Sequence, residues 1–429
     1  MFCLNYSKLV IVIKLYIMYN PRNSRNHSPM LNLNLKTTPF HERTSALCQP
    51  QNWRKWAGYF AAGSYEHVLD REYWAIRNSA ALIDVSPLIK YVIKGKDAAA
   101  LLHRVTTRDV HKMKVGQVAY TGWCDEEGKM IDDGTISRLD DSTFRLTAAE
   151  PNLRWLAMNA VGMDVSIAEV TGDMAALSFQ GPNTRKVLNK VTEKPVDELK
   201  YFRLMTNKIK GVEVTISRTG YTGDLGYEIW MDAKDALKVW DALMEAGSDY
   251  GITPVGILAM DMARVEAGLF MLDVDYTSTS HAWIESQKSS PFELGLDWTV
   301  ALDKPGYFVG RRALEKEKRE GSAWKMVGLA VDWVGMEKLF GKVGLPPQIP
   351  GSAVRASLPV MVGNVQVGYA STSTWSPLLK TYIALAHLQK PYYEIGTDVR
   401  MEITVEHHRQ HAPAKVVKLP FYEPEWKKK

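Results

Sequence analysis

Glu228 is the first residue placed to do chemistry. It stands in the run ISRTGYTGDLGYEIWM, residues 216–231, two strand-like segments either side of a glycine-rich turn. Val212, Val214 and Ile216 alternate with polar neighbours, as do Tyr227, Ile229 and Met231 beyond the turn, the period-2 pattern of half-buried strands. Gly220, Gly223 and Gly226 lie between them, a density that marks backbone needing positive φ or close approach to another surface. Glu228 therefore points away from the Tyr227–Ile229 face at the mouth of an open hairpin. There it is either available to bind something or a solvated strand residue beside a loose turn.

Asp132 and Asp133 are the next candidates. Val118 to Trp123 reads as a strand, Asp125-Glu-Glu-Gly128 as a turn, and Met130 to Leu139 as the return. Side chains alternate across a strand, so the two aspartates face opposite sides. If one is solvated, the other turns toward whatever the sheet covers, where a buried carboxylate needs a partner or a role. The plainer alternative is a pair of turn or edge residues. Arg264 lies three residues after Asp261, off the apolar stripe of Val255, Leu258, Met262, Val265 and Leu269. It is either a surface ion pair or an anion clamp. His407, His408 and His411 are close in sequence, but no Cys or carboxylate stands at ligand spacing, so no metal site is expected.

The elements that must hold these residues are those of an ordinary soluble chain. It has 429 residues, 46% hydrophobic and 24% charged, long enough for two or three domains. Residues 1–36 carry Lys8, Lys14, Arg22, Arg25 and Lys36 and no acid, which is the whole formal excess of +5. The body is formally neutral, which argues against a nucleic-acid partner. Leu9 to Met18 is apolar but short and interrupted by Lys14, so it cannot span a bilayer, and no membrane association is expected. The tail, 1–36, reads as a start placed too early, with Met30 as the true one, or as a disordered or targeting extension. Cys3, Cys48 and Cys124 are odd in number and far apart, which fits a reduced compartment and no disulfide framework.

Along the body, helices are expected at 66–78, 96–103, 183–191 and 234–246. Another should start at Thr253-Pro254, with Thr as N-cap and Pro in the first turn. Pro291 to Val300 reads as a strand. The charged, glycine-containing stretch 317–322 marks a boundary. Beyond it six short strands, beginning near Met326, Leu358, Val365, Tyr382, Val399 and Ala414, predict an all-β barrel or sandwich.

Several separated stretches then resemble one family, the folate-dependent aminomethyltransferases (glycine cleavage T-proteins) and their demethylase relatives. They are Ile83-Asp-Val-Ser86, Tyr120 to Asp133, Phe179-Gln-Gly-Pro182, residues 217–229 of the opening hairpin, and Ala263-Arg-Val-Glu-Ala-Gly-Leu269. Pro291 to Trp298, Phe308-Val-Gly-Arg311, Gly368 to Pro377 and Lys418-Leu-Pro-Phe421 continue the series in the family's order. The resemblance implies an α+β, three-domain T-protein-like fold: an extension at 1–36, a folate-binding region of two intertwined subdomains at 37–316, and a C-terminal β-barrel at 323–424. It implies tetrahydrofolate as cofactor in a central channel. Glu228 would grip the pterin ring, Tyr221 and Tyr120 line its pocket, and Asp133 serve as catalytic carboxylate near the nitrogens that receive the carbon. Arg264, Trp298 and Arg409 would be further pocket residues.

The implied function is one-carbon transfer to tetrahydrofolate, first as an aminomethyltransferase served by a lipoyl carrier protein. The runner-up is a demethylase of a small S-, N- or O-methylated donor. A non-catalytic folate-binding protein is a third reading, but its Lys-Gly-Cys-Tyr-type signature is missing. A Rossmann dinucleotide enzyme is excluded because the glycine cluster joins two strands. The compartment implied is the cytoplasm, or the mitochondrial matrix for a eukaryotic chain whose extension is real. Two departures stand out. Gly134-Thr-Ile-Ser137 follows Asp133 where the family has larger apolar residues, and a longer insert, 276–290, follows Met271-Leu-Asp-Val-Asp275. Both bear on the side from which a donor would come.

Overall fold

In chain order the strands are β1 (Lys36–Thr37), β2 (Trp53–Trp56), β3 (Tyr59–Ala62), β4 (Ala80–Asp84), β5 (Ile89–Lys94), β6 (Val118–Cys124) and β7 (Met130–Arg138). There follow β8 (Thr143–Ala148), β9 (Ser166–Glu169), β10 (Met174–Gln180), β11 (Leu204–Ile209), β12 (Val212–Ser217), β13 (Gly226–Asp232) and β14 (Ile252–Pro254). The last are β15 (Trp324–Val331), β16 (Leu358–Val362), β17 (Val365–Ser376), β18 (Thr381–Gln389), β19 (Asp398–Val405) and β20 (His408–Val417). This computed structural model describes residues 36–428. The expectations for the start of the chain and for residues 1–35 lie outside them.

The class is α+β, as expected. A three-stranded sheet runs β1-β3-β2, a six-stranded sheet β11-β12-β13-β10-β4-β14, and a five-stranded sheet β6-β7-β8-β5-β9. The six C-terminal strands close into a barrel in the order β15-β18-β17-β16-β19-β20, which leaves that sheet no free edge. No helix among the described residues is long and apolar enough to cross a membrane.

The six-stranded sheet is covered on both faces, which is why β10 reads as a nearly continuous apolar run. Leu177, Phe179, Tyr227 and Ile229 pack one face against Val239, Trp240 and Leu243 of the helix Ala236–Gly247. Each such side chain stabilises by about 1.5–3 kcal/mol when fully buried. The other face carries Ala176 and Trp230 and meets Tyr73 and Ile76 of the helix Asp70–Asn78 and Ala259 and Ala263 of the helix Ile257–Glu266. Ser178 and Glu228 fall on this second face by alternation, so the polar residues of both strands look toward the helices and the barrel.

Two local expectations are corrected. Thr253-Pro254 does not start a helix: it lies in β14, parallel to β4, and the helix begins only after Gly256. Proline is tolerated there because β14 is the edge strand of its sheet. Pro291 to Val300 is not a strand but a run of turns ending in a 3₁₀ turn at Asp297–Thr299. The charged stretch from Glu317 is the last turn of the helix Arg311–Glu320, ended by Gly321 at φ 79°.

Candidate functional site

The glycine-rich turn closes on one side chain, Gln180. Its amide donates to the carbonyls of Thr219 and Tyr227, both at 3.3 Å, and accepts from the Thr222 hydroxyl at 3.0 Å. A Cβ at Gly226 would lie 1.9 Å from Gln180 Oε1, and one at Gly220 2.1 Å, so only glycine leaves room for this buried plug. The plug fixes the segment that leads into β13 and with it the direction of Glu228. The Thr219 hydroxyl donates to Glu228 Oε2 at 2.5 Å and is itself paired with Ser217 at 2.9 Å. Burial pushes the Glu228 carboxyl above its usual range, opposed by the Thr219 hydroxyl, the Arg145 charge and Ser217.

Asp132 and Asp133 part company as the alternation requires. Asp132 is 1% exposed and turns into the structure, accepting from the Asp133 backbone N–H at 2.7 Å, the Glu150 N–H at 3.1 Å and the Asn152 amide at 2.8 Å. Asp133 faces the other way. Its Oδ2 accepts from the Tyr120 hydroxyl at 2.7 Å and its Oδ1 from the Tyr276 hydroxyl. Burial raises both carboxyls. The neighbouring Asp133 charge pushes Asp132 further up, while the two phenols hold Asp133 back. Gly134 follows because a Cβ there would lie 1.9 Å from the Thr147 carbonyl on β8. The departure from larger apolar residues thus reflects a close backbone approach.

These groups share one cavity of about 1330 Å³, lined among others by Tyr120, Asp133, Tyr221, Glu228 and Trp298. Trp298 is 56% exposed at its mouth and stacks on Tyr120 with ring centroids 5.9 Å apart, while the Arg108 guanidinium lies 4.9 Å from the centre of the Trp298 ring. Arg108 donates to the Tyr120 carbonyl at 2.9 Å, and Lys304 steadies this segment by donating to the carbonyls of His103, Thr106 and Arg108. Burial lowers the Lys304 ammonium to about 7. The Tyr221 hydroxyl is anchored on the Phe270 carbonyl.

Two expected pocket residues are elsewhere. Arg264 is fully buried, with Nε on Asp261 at 2.8 Å, Nη1 on Asp275 and on the Leu269 carbonyl, and Nη2 on Thr372 at 3.0 Å. The flank of the helix that looks solvent-facing in sequence is covered by the barrel, so Arg264 is a joint between segments rather than an anion clamp. Arg409 sits on β20 with its side chain 80% exposed and a long 3.9 Å contact to Glu402, and it does not line the cavity. Tyr276 was missed: it lies in the insert, 143 residues from its partner, and no periodicity points at it. The insert is also tied down by His281, whose ring nitrogens lie 2.9 Å from Glu150 and 2.8 Å from Asp273. These three are close enough to hold an ion, but both imidazole nitrogens are already engaged. His407, His408 and His411 form no such group among the described residues.

The chain matches two family models, the GCVT N-terminal domain over residues 38–304 and the glycine cleavage T-protein C-terminal barrel domain over residues 342–423. It is 32% identical over 402 residues to an aminomethyltransferase of Thermoanaerobacter sp. (strain X514), covering 92% of this chain and 100% of the relative. It is 35% identical over 404 residues to a trimethylamine-oxide aldolase of Ruegeria pomeroyi, covering 91% of this chain but 47% of that protein. A crystal structure of glycine cleavage system aminomethyltransferase T from Bartonella henselae superposes with TM-score 0.76 at 23% identity, covering 91% of this chain and 98% of that one.

Proposed function

We propose a specific reaction for this chain, which belongs to the glycine cleavage T-protein family and is a one-carbon transferase: it passes a one-carbon group to tetrahydrofolate held in the cavity, most simply as an aminomethyltransferase. The observation that carries the reading is the convergence of Glu228, Tyr221, Tyr120, Trp298 and Asp133 on one cavity. Their donor and acceptor set suits a reduced pterin. Glu228 can take the two N–H groups of a 2-amino-4-oxo ring edge. Tyr221 and the Tyr120–Trp298 stack offer flat walls to the rings. Among the described residues neither Glu228 nor Asp133 makes an ion pair, so each carboxylate is left to act on what enters the cavity.

Tetrahydrofolate supplies the nucleophilic nitrogens that accept the carbon. The protein's part is electrostatic. Asp133, fixed through both oxygens by Tyr120 and Tyr276, stabilises positive charge that develops nearby during transfer. Asp132 is a positioning residue, since it holds the Asp133 backbone N–H and the start of the loop after β8.

The donor separates two readings. An aminomethyl group carried on a lipoyl protein is the first. Transfer from a small free methylated compound is the second, and the insert favours it: 276–290 reaches back over β7 and places Tyr276 on Asp133, reshaping the side from which a donor would come. Incubating the protein with tetrahydrofolate and each candidate donor, then separating methylene- from methyl-tetrahydrofolate by mass, decides between them. Methylene product only with a lipoyl carrier supports the first; methyl product with a free donor supports the second. No folate product with any donor sinks both.

A further inference from the structure

Beside Glu228 the cavity floor holds a polar group with nothing to bind. Ser178 on β10 stands directly across from Glu228 on β13 in antiparallel register, so both side chains leave the sheet on the same face, a few ångströms apart. Ser178 lines the cavity and is 2% exposed, yet its Oγ has no hydrogen-bond partner among the described residues. The other hydroxyls around Glu228 are satisfied: Ser217 bonds Thr219 and accepts from the Trp230 indole N–H at 3.2 Å, and Thr219 serves Glu228. A buried hydroxyl left unpaired destabilises a fold by about 1–3 kcal/mol, so such a group calls for an explanation.

The neighbouring charge says which way the hydroxyl must work. Arg145 on β8 is 2% exposed and lies 3.9 Å over the ring of Trp230, two residues beyond Glu228 on the same face of β13. Its Nε and Nη2 also lack partners, and its charge acts on Glu228 in favour of the carboxylate. That charge opposes the effect of burial on Glu228, whose carboxyl already accepts from the Thr219 hydroxyl, so the unpaired Ser178 hydroxyl is the group here with a proton to donate.

We propose that Ser178 is a ligand-reading residue: its hydroxyl donates to the acceptor atom that flanks the two N–H groups taken by Glu228. This rests on the pterin reading of the cavity and deepens it. A 2-amino-4-oxo edge presents acceptor, donor, donor, acceptor in a row, and a carboxylate alone answers only the middle two. Ser178 answers a flanking one, so the pair reads three successive positions of the ring edge where Glu228 alone reads two.

The test is Ser178→Ala in the full chain, with two readouts of opposite sign. Removing an unpaired hydroxyl leaves the melting temperature of the free protein unchanged or higher. Removing a ligand contact weakens tetrahydrofolate binding, measured by titration calorimetry, about 3- to 10-fold, the equivalent of one neutral hydrogen bond. A Ser178→Ala protein that binds tetrahydrofolate as tightly as the parent overturns the assignment. So does one whose free form melts markedly lower, which shows a structural role. If the parent itself gives no heat with tetrahydrofolate while properly folded, the pterin reading falls first and this inference with it, and that outcome is distinct from the other two.

Discussion

Two buried polar regions of this molecule are built on opposite rules. At the joint between the helix Ile257–Glu266 and the barrel, every charge meets its opposite. Arg264 sits between Asp261 and Asp275, and Asp275 also accepts from Ser371 and Thr372, both at 2.6 Å. Glu266 accepts from Arg77 at 2.6 Å, Tyr73 at 2.6 Å and Ser376 at 2.5 Å. On the cavity floor, among the described residues, the carboxylates of Asp133 and Glu228 accept side-chain bonds only from hydroxyls, and the Arg145 guanidinium near Glu228 keeps two unpartnered nitrogens. The joint's charges are fully buried, whereas Asp133 and Glu228 are half-buried at the cavity. The two places also differ in whether the protein completes its own hydrogen bonding. The joint does, and it fixes geometry; the floor does not, and its surplus valence is what a ligand can use.

The comparison is broken most directly at Asp133. Asp133→Asn keeps the shape and one phenol donation, the other phenol turning to accept from the new amide, but removes the charge, so kcat is expected to drop about 10²- to 10⁴-fold with tetrahydrofolate affinity retained. Stability moves the other way. A carboxyl whose folded pKa is raised binds its proton more tightly in the folded state. Its contribution to stability is therefore present below the unfolded pKa of about 3.9 and lost as pH rises through the higher folded value. The asparagine variant should melt higher than the parent at neutral pH and alike near pH 3. A variant that turns over at the parental rate removes the catalytic assignment.

Arg264→Met makes the opposite cut. It leaves Asp261 and Asp275 buried without their cation, and breaking a buried pair from one side costs about 3–5 kcal/mol. Denaturant unfolding should register that loss. At a temperature where the variant remains folded, folate affinity should stay near the parental value. A large affinity change with little loss of stability would return Arg264 to the site.

A smaller effect is expected at Tyr276→Phe. The carboxyl of Asp133 is pushed up by burial and held down by the hydroxyls of Tyr276 and Tyr120. Deleting one hydroxyl lets the pKa climb, so the acid limb of kcat/KM moves to higher pH. A charged hydrogen bond of about 1.5 kcal/mol corresponds to roughly one pH unit. A uniform loss of activity with no movement of that limb would mean that Tyr276 only packs.

The legible parts of this molecule are those set by local pattern. Alternation put Glu228 on the face away from Tyr227 and Ile229, and sent Asp132 and Asp133 to opposite sides. The six barrel strands stood out as short β runs between turns. The choice of Asp133 over Asp132 came from resemblance, because alternation says that the two differ without saying which side is the cavity. Tyr276 was invisible for a physical reason: its partner is far away in sequence, and it sits in an insert with no period. Arg264 misled because an apolar stripe identifies one buried face, whereas the helix Ile257–Glu266 is buried from Ala259 to Glu266. A second covering layer, here the barrel, leaves no mark on the stripe.

Arg409 completes the contrast, since it was expected in the pocket and lies in neither polar region. Its guanidinium is mostly solvated, and its 3.9 Å approach to Glu402 is too long for a strong pair. Exposed pairs of this kind are worth about 0–1 kcal/mol. Arg409→Ala should therefore leave folate affinity, turnover and melting temperature within error of the parent. The same truncation at Arg264 should cost several times more in stability, although both are arginines facing carboxylates. If Arg409→Ala weakened folate binding several-fold, β20 would have to reach the cavity in the liganded protein, and the division between a self-satisfied scaffold and an unsatisfied floor would need redrawing to include the barrel's own surface.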